Sequence, residues 1–376
     1  MLDGMNQHRL LKIGLLGCGN ISGIYLNNLS KAQGLKLLAV ADIDKAKAAE
    51  KAATYQLLAL SPDELLHHSD IDIIINLTTP QHHYPLNKQI LEAGKSVYCE
   101  KPLALRAEEA LELVALAEQR GFYLGGAPDT FLGAGLQTVR AILDEGLIGT
   151  PLGASGFMMS AGHERWHPNP SFFYEVGGGP LFDMGPYYLT ALVFLLGPVK
   201  RLSARAQLSF AERTITSQPL AGQKIKVETP THITSLLEFH EGLHASLTTS
   251  FDVQGSKCSN IEIYGSEASI TVPDPNTFGG VIQLKARGQS EWQELPLRYA
   301  YSQNSRGIGV ADMARAMAEG QANHRANGQM AAHVVEIMES VLKASASHSW
   351  LDLKSNCKRP PALALGLSES EWFKLS

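Results

Sequence analysis

Cysteine is scarce in this chain: Cys18, Cys99, Cys258 and Cys357 are its only thiols in 376 residues, and no two form a C-x-x-C pair. That scarcity excludes a disulfide-framed secreted domain and predicts reduced thiols in a cytoplasmic protein. Long apolar runs are missing as well. The longest, Ala191 to Leu196, falls far short of the ~18 to 20 residues of a membrane-spanning helix, and the first ten residues hold no continuous apolar stretch of signal-peptide type. Nor is there an excess of basic charge. A formal charge of -5 leaves no footprint for nucleic acid and no polybasic face for a membrane. Repeats and low-complexity blocks are absent, so a small polar or neutral metabolite is the expected partner.

What is present is length and ordinary globular composition, 44% hydrophobic and 18% charged. A chain of 376 residues exceeds the usual single-core limit of roughly 250 to 300, so two domains are expected, divided as 1–127 and 128–376. The first third alternates short apolar runs with polar-periodic segments, the pattern of βαβ units and a parallel sheet. Strands are predicted at Leu11 to Leu16, Leu35 to Ala41, Ile71 to Leu77, Ser96 to Cys99 and Phe122 to Leu124. Helices are predicted at Ile21 to Leu29, Asp44 to Tyr55, Pro85 to Ala93 and Arg106 to Gln119. After Gly125-Gly126 the rhythm changes. A helix near Gly133 to Glu145 leads into turn-rich sequence from Gly149 to Gly185 and a further helix from Tyr187 to Leu196. Runs from Ala204 onward, such as Ile233 to Phe239 and Ala245 to Phe251, read as a mostly antiparallel sheet closed by helices Gly309 to Ala318 and Gln329 to Ala344.

The first strand runs into Gly17-Cys18-Gly19-Asn20-Ile21-Ser22 and then a helix, the context required for a dinucleotide fingerprint. Gly17 allows the tight turn, Gly19 lets backbone approach a pyrophosphate, and the N–H groups at Asn20, Ile21 and the helix start face the anion. Ser22 stands where the third glycine is usual. Asp42, at the end of the second strand, suits the ribose hydroxyls, although it also reads as a helix cap, a task Asp44 can perform instead. A carboxylate there repels a 2′-phosphate and favours NAD, while Lys45 and Lys47 leave NADP open. Thr78 and His83 fall in a loop at the carboxyl edge of the sheet and are candidates to line the cofactor pocket.

Glu100-Lys101-Pro102 places an ammonium at the end of the fourth predicted strand, where it can stabilise an alkoxide during hydride transfer. Pro102 biases Lys101 toward an extended backbone. The other half of a site is Gly177-Gly178-Gly179 followed by Asp183 and Tyr187, four residues apart and on one face if a helix begins by Asp183. Tyr187 is the expected proton-transfer group, Asp183 is expected to orient substrate or a polar neighbour, and both are expected to touch the substrate with Lys101. In Ala161 to Pro168, Trp166 and His167 are candidate substrate contacts, with a plain structural loop as the competing reading. His163 and His167 stand at i, i+4, but the neighbouring glycine and prolines argue against one helical face, so no metal is expected.

With those motifs in hand, the chain resembles the Gfo/Idh/MocA family of nicotinamide-dependent oxidoreductases from about Leu11 to Ala344. The marks are the Gly17 to Ser22 turn, Thr78-Thr79-Pro80 with His83, Ala93-Gly94-Lys95 leading to Glu100-Lys101-Pro102, and Gly177 to Tyr187. The resemblance implies a Rossmann domain plus an α+β domain with a large open sheet that pairs subunits into a homodimer or homotetramer. It implies catalysis by Lys101 and Asp183, with Glu100 and Lys101 beside the cofactor, on a sugar, polyol or related cyclic alcohol. Many members carry histidine where this chain has Tyr187, and tyrosine there resembles glucose-fructose oxidoreductase and dimeric dihydrodiol dehydrogenase. Inositol is the poorer substrate expectation. Two rivals stand beside hydride transfer to a carbinol carbon: a catalytically idle redox sensor, and a sugar-sugar oxidoreductase with tightly held cofactor.

Overall fold

A computed structural model describes residues 10–367; the outermost parts of the two expected domains, residues 1–9 and 368–376, lie outside the described residues. The first half alternates strands and helices: β1 (Leu11–Leu16), α1 (Ser22–Leu29), β2 (Leu35–Ala41), α2 (Lys45–Tyr55), β3 (Leu58–Leu60), α3 (Pro62–His67), β4 (Ile73–Asn76), α4 (Pro80–Glu92), β5 (Ser96–Cys99), α5 (Ala107–Arg120) and β6 (Leu124–Gly126). All pairings are parallel, in the order β3-β2-β1-β4-β5-β6. Strand order reverses beside β1, so the crevice outside the carboxyl ends of β1 and β4 is where such a sheet binds ligands. Both faces are covered, which is why β1, β4 and β5 read as apolar runs with Ile13, Ile74 and Val97 fully buried.

The second half is α6 (Ala134–Asp144), β7 (Pro151–Met159), α7 (Gly179–Asp183), α8 (Gly185–Leu196), β8 (Val199–Gln207), a small hairpin of β9 (Glu212–Thr214) and β10 (Lys224–Lys226), then β11 (His232–Phe239), β12 (His244–Ser250), β13 (Ile261–Gly265), β14 (Ala268–Val272), β15 (Ile282–Ala286), β16 (Gln293–Leu295), α9 (Ile308–Ala318), α10 (Gly328–Ser347) and β17 (Leu351–Asp352). Nine strands form one sheet, β16-β15-β14-β13-β7-β12-β11-β8-β17, antiparallel except where β7 runs parallel to β12. No helix among the described residues is long and apolar enough to cross a membrane.

Several elements differ from the sequence reading. Segment Pro151–Met159 lies inside the predicted turn-rich stretch yet is a central strand; its glycines are tolerated because β12 and β13 supply ladder partners on both sides. The fourth helix starts at Pro80, not Pro85, so Pro85 lies inside α4 and Pro80 takes the first-turn position. The last strand of the first sheet is Leu124–Gly126 rather than Phe122 to Leu124, and β3, α3 and β8 were not anticipated over their full lengths. Asp183 and Tyr187 do not share one helix: α7 ends at Asp183, Met184 breaks the run, and Tyr187 belongs to α8.

Candidate active site

The turn after β1 is built for close backbone approach. Gly17 has φ +101°, and a Cβ there would sit 2.8 Å from the backbone of Leu77, so only glycine fits. Gly19 is the opposite case: nothing lies within 4 Å of the position of a Cβ, leaving an open approach at the mouth of the crevice beside exposed Asn20 and half-buried Ile21. Ser22 is buried and its hydroxyl donates to the Gly19 carbonyl at 2.6 Å, closing the turn from within. The Asp42 carboxylate accepts the Cys18 N–H at 2.7 Å and the Asp44 N–H at 2.8 Å, while Asp44 caps α2. Asp42 is thus not the cap; it ties the glycine turn to β2 and keeps lone pairs for hydroxyl donors. An open space where a side chain would sit, unpaired helix N–H groups and a carboxylate one strand away fit a dinucleotide.

Thr78 stays at the sheet edge, whereas His83 is withdrawn from it. Thr78 bonds through its hydroxyl to Asn76 at 2.7 Å and remains half-buried at the sheet edge. His83 sits on α4, not in a loop, and is 1% exposed, with Nδ1 2.6 Å from the Pro102 carbonyl and Nε2 2.9 Å from the Thr78 carbonyl. Instead of lining the crevice it is a strut that joins the β4 edge to the segment carrying Lys101. Burial pushes its pKa down, against the pull of the two carbonyls.

The segment after β5 is held at several points. Glu100 accepts from the Tyr25 hydroxyl and from the Lys101 N–H, each at 2.9 Å. Lys101 Nζ then reaches across to the second domain, donating to the Asp183 carbonyl at 2.6 Å and to Asp183 Oδ1 at 2.9 Å. Nζ also lies 5.2 Å from the centroid of the Tyr187 ring. Burial opposes the ammonium, but Asp183, Tyr187 and Glu100 outweigh it and hold Lys101 protonated. For Asp183, burial works against the carboxylate, and Lys101 and then His163 more than offset it, so it stays ionised well below the ordinary range. Burial pushes the Tyr187 phenol up, while Lys101 and Arg306 pull it down.

Two residues not anticipated complete this cluster. His163 Nε2 lies 3.2 Å from Asp183 Oδ2, and Arg306, from the loop ahead of α9, faces the Tyr187 phenol. Arg306 carried no sequence signal, since it lies 119 residues beyond Tyr187 in an unremarked loop. His163 was visible only as half of a histidine pair. Trp166 is 64% exposed and His167 half-buried; they pack edge to face at 5.4 Å, with His167 also against Phe172 and Phe173. This aromatic shelf connects to the cluster through His163, whose ring lies 5.1 Å from that of Trp166. Among the described residues, no group of three His, Cys, Asp or Glu side chains is placed to hold a metal ion.

Strand order, glycine turn and fold define an NAD-binding oxidoreductase. The chain belongs to the Gfo/Idh/MocA family: residues 11–125 match the oxidoreductase family with an NAD-binding Rossmann fold, and residues 136–271 match the GFO/IDH/MocA C-terminal domain. It is an enzyme of the dehydrogenase and reductase kind acting on CH–OH groups. An uncharacterised oxidoreductase of Synechocystis is 28% identical, covering 72% of this chain and 74% of that protein. The trans-1,2-dihydrobenzene-1,2-diol dehydrogenase of Bos taurus is 25% identical over 76% of this chain and 80% of its own. Levoglucosan dehydrogenase in complex with NADH and L-sorbose superposes with a TM-score of 0.78 at 20% identity, over 92% of this chain and 99% of the other.

Proposed function

We propose that this enzyme transfers a hydride between a nicotinamide and a carbinol carbon of a sugar, polyol or related cyclic alcohol, with Lys101, Asp183 and Tyr187 as its catalytic residues. One observation carries the reading: an ammonium has three N–H donors, Asp183 takes two, and one remains for a ligand, with the Tyr187 ring centroid 5.2 Å from Nζ. The cofactor, when bound, supplies or accepts the hydride. In reduction, the Tyr187 hydroxyl gives its proton to the substrate oxygen while Lys101 donates to the same oxygen and stabilises its developing charge. In oxidation, the Tyr187 phenolate takes the hydroxyl proton back. Asp183 keeps Lys101 charged and aimed. Gly17, Gly19, Asn20, Ile21 and Asp42 would hold the dinucleotide, with Thr78 and Glu100 at the nicotinamide end. Asp42 favours NAD, because its carboxylate repels a 2′-phosphate.

Sugar or polyol chemistry is supported by the exposed Trp166 and half-buried His167 beside the cluster, since aromatic faces pack against the C–H faces of sugar rings. Curated relatives include a 1,5-anhydro-D-fructose reductase and a D-xylose dehydrogenase. We divide the chain at 127/128, with α9 and α10 returning to pack on β6 and α5. We assign self-association to the face of the nine-stranded sheet that carries Leu236, Tyr264, Thr234 and Thr248, because Leu236 and Tyr264 are large apolar side chains left exposed there. Free thiols, three buried and Cys258 exposed, fit a reducing, cytoplasmic compartment. Purified protein mixed with NAD or NADP and a panel of sugars and polyols is expected to change nicotinamide absorbance with at least one sugar, faster with NAD. Cofactor binding without any turnover across the panel would favour the redox sensor. Cofactor that co-purifies and never exchanges would favour the sugar-sugar oxidoreductase.

A further inference from the structure

We propose that His163 is a positioning residue for this site: its Nε2–H holds the second oxygen of Asp183, fixing the carboxylate that in turn aims Lys101 at the substrate oxygen. The inference rests on the reading of Lys101, Asp183 and Tyr187 given above. A carboxylate bonded at one oxygen keeps freedom about its terminal torsion, which is broad and roughly two-fold. Asp183 has a nitrogen against each oxygen: Oδ1 accepts from Lys101 at 2.9 Å and Oδ2 lies 3.2 Å from His163 Nε2. With the carboxylate rotation locked, the ammonium has one place to stand.

The imidazole is itself immobilised by what surrounds it. It is 8% exposed and wedged between Phe173, Phe251 and Trp166, with ring centroids 4.0, 4.5 and 5.1 Å away. Phe251 directly follows β12 and is fully buried, so the ring is referenced to the rigid sheet. The His163 N–H donates to the Tyr174 hydroxyl at 3.1 Å, and the next residue, Glu164, pairs with Arg213 at 2.7 Å. An ionised Asp183 can only accept, so the ring nitrogen facing it, Nε2, carries a proton, whereas Nδ1 has no such neighbour. That Nδ1 is buried with no partner among the described residues. An enclosed ring nitrogen without a partner is destabilising, and a phenylalanine would fill the same aromatic cage without it. What the imidazole adds over an apolar ring is the single N–H on Asp183.

Two substitutions in the full chain separate positioning from packing. His163→Phe keeps the ring and removes the donor; His163→Gln restores an N–H near the position of Nε2. Loss of one hydrogen bond to a charged group predicts that His163→Phe lowers kcat about 10- to 100-fold, leaves KM and cofactor affinity near wild type, and moves the acid limb of the kcat profile to higher pH. His163→Gln is expected to recover most of kcat. Unchanged kcat in His163→Phe, or equal losses in both variants with a raised KM, would overturn the proposal. If wild type turns over a sugar and Lys101→Met does not, failure of the histidine variants sinks the role of His163 alone. A readout independent of turnover is the 15N spectrum of histidine-labelled protein, assigned by its loss in His163→Gln. A neutral ring protonated at Nε2 supports the proposal, and one protonated at Nδ1 contradicts it.

Discussion

Two buried charge networks lie side by side, joined through the consecutive residues His163 and Glu164. In one, Arg213 pairs with Glu164 at 2.7 Å and with Asp252, also donates to the Phe251 carbonyl at 3.2 Å, and stacks over Tyr174. Tyr174 in turn donates to Glu164, and burial together with that carboxylate pushes its phenol up. In the other, Lys101 pairs with Asp183 beside Tyr187. Both contain a cation, a carboxylate and a tyrosine of small exposure. The difference is commitment: both terminal nitrogens of Arg213 and the Tyr174 hydroxyl bond to protein acceptors, with the buried Arg213 Nε left without a partner among the described residues, whereas Lys101 keeps one N–H beside the Tyr187 ring. A network whose terminal donors are bonded to protein holds a loop in place, and one that keeps a spare donor is ready for a ligand that accepts.

That contrast can be broken by substitution. Tyr187→Phe is expected to lower turnover about 10²- to 10⁴-fold, the range for loss of a general acid or base, with the melting temperature little changed. Lys101→Met should lower kcat about 10²- to 10³-fold while cofactor titration by fluorescence stays close to wild type. Near-normal turnover in a folded Lys101→Met protein would remove it from the mechanism. Arg213→Met reverses the pattern: it strands buried Glu164 and Asp252 and should cost about 3 to 5 kcal/mol of stability in a denaturant titration. If Arg213→Met instead lost turnover with stability intact, the Arg213 network would have to be counted as part of the site.

The pH response sharpens the same distinction. Burial raises the Tyr187 phenol, so at neutral pH it stands protonated. Oxidation consumes the phenolate and should therefore climb with pH through the neutral-to-alkaline range with a slope near one, approximately. Reduction consumes the phenol and should stay flat there, falling only at higher pH. Tyr187→Phe is expected to flatten the climb, and a climb unchanged in that variant would assign it to another group. The smallest effect belongs to Asp42→Asn. Removing the charge that faces a 2′-phosphate should move the NAD to NADP preference about tenfold toward NADP, read from the two kcat/KM values.

Features fixed by local chemistry were legible in the sequence. Strands β1, β2 and β5 appear at the residues predicted, since Leu11–Leu16, Leu35–Ala41 and Ser96–Cys99 are apolar runs bounded by turn residues. The glycine turn was legible because Gly17 answers a backbone requirement and Gly19 leaves the mouth of the crevice open. Features fixed by neighbours distant in sequence were not. Strand β7 carries Pro151, Gly153 and Gly156 and becomes a strand only between β12 and β13. His83 reads as a loop residue until α4 is seen to begin at Pro80. Asp183 and Tyr187 converge through a break at Met184 and the reach of Lys101, not through helical spacing. His163 and Arg306 come to the cluster from loops whose paths no periodicity encodes.

The most direct measurement is a crystal structure of the full chain with nicotinamide cofactor and an unreactive polyol bound together. The account predicts one polyol oxygen within hydrogen-bonding distance of both Lys101 Nζ and the Tyr187 hydroxyl, with the Asp183 contacts to Lys101 retained. A polyol bound away from those two groups, or the remaining Lys101 N–H turned to a protein acceptor, would contradict it.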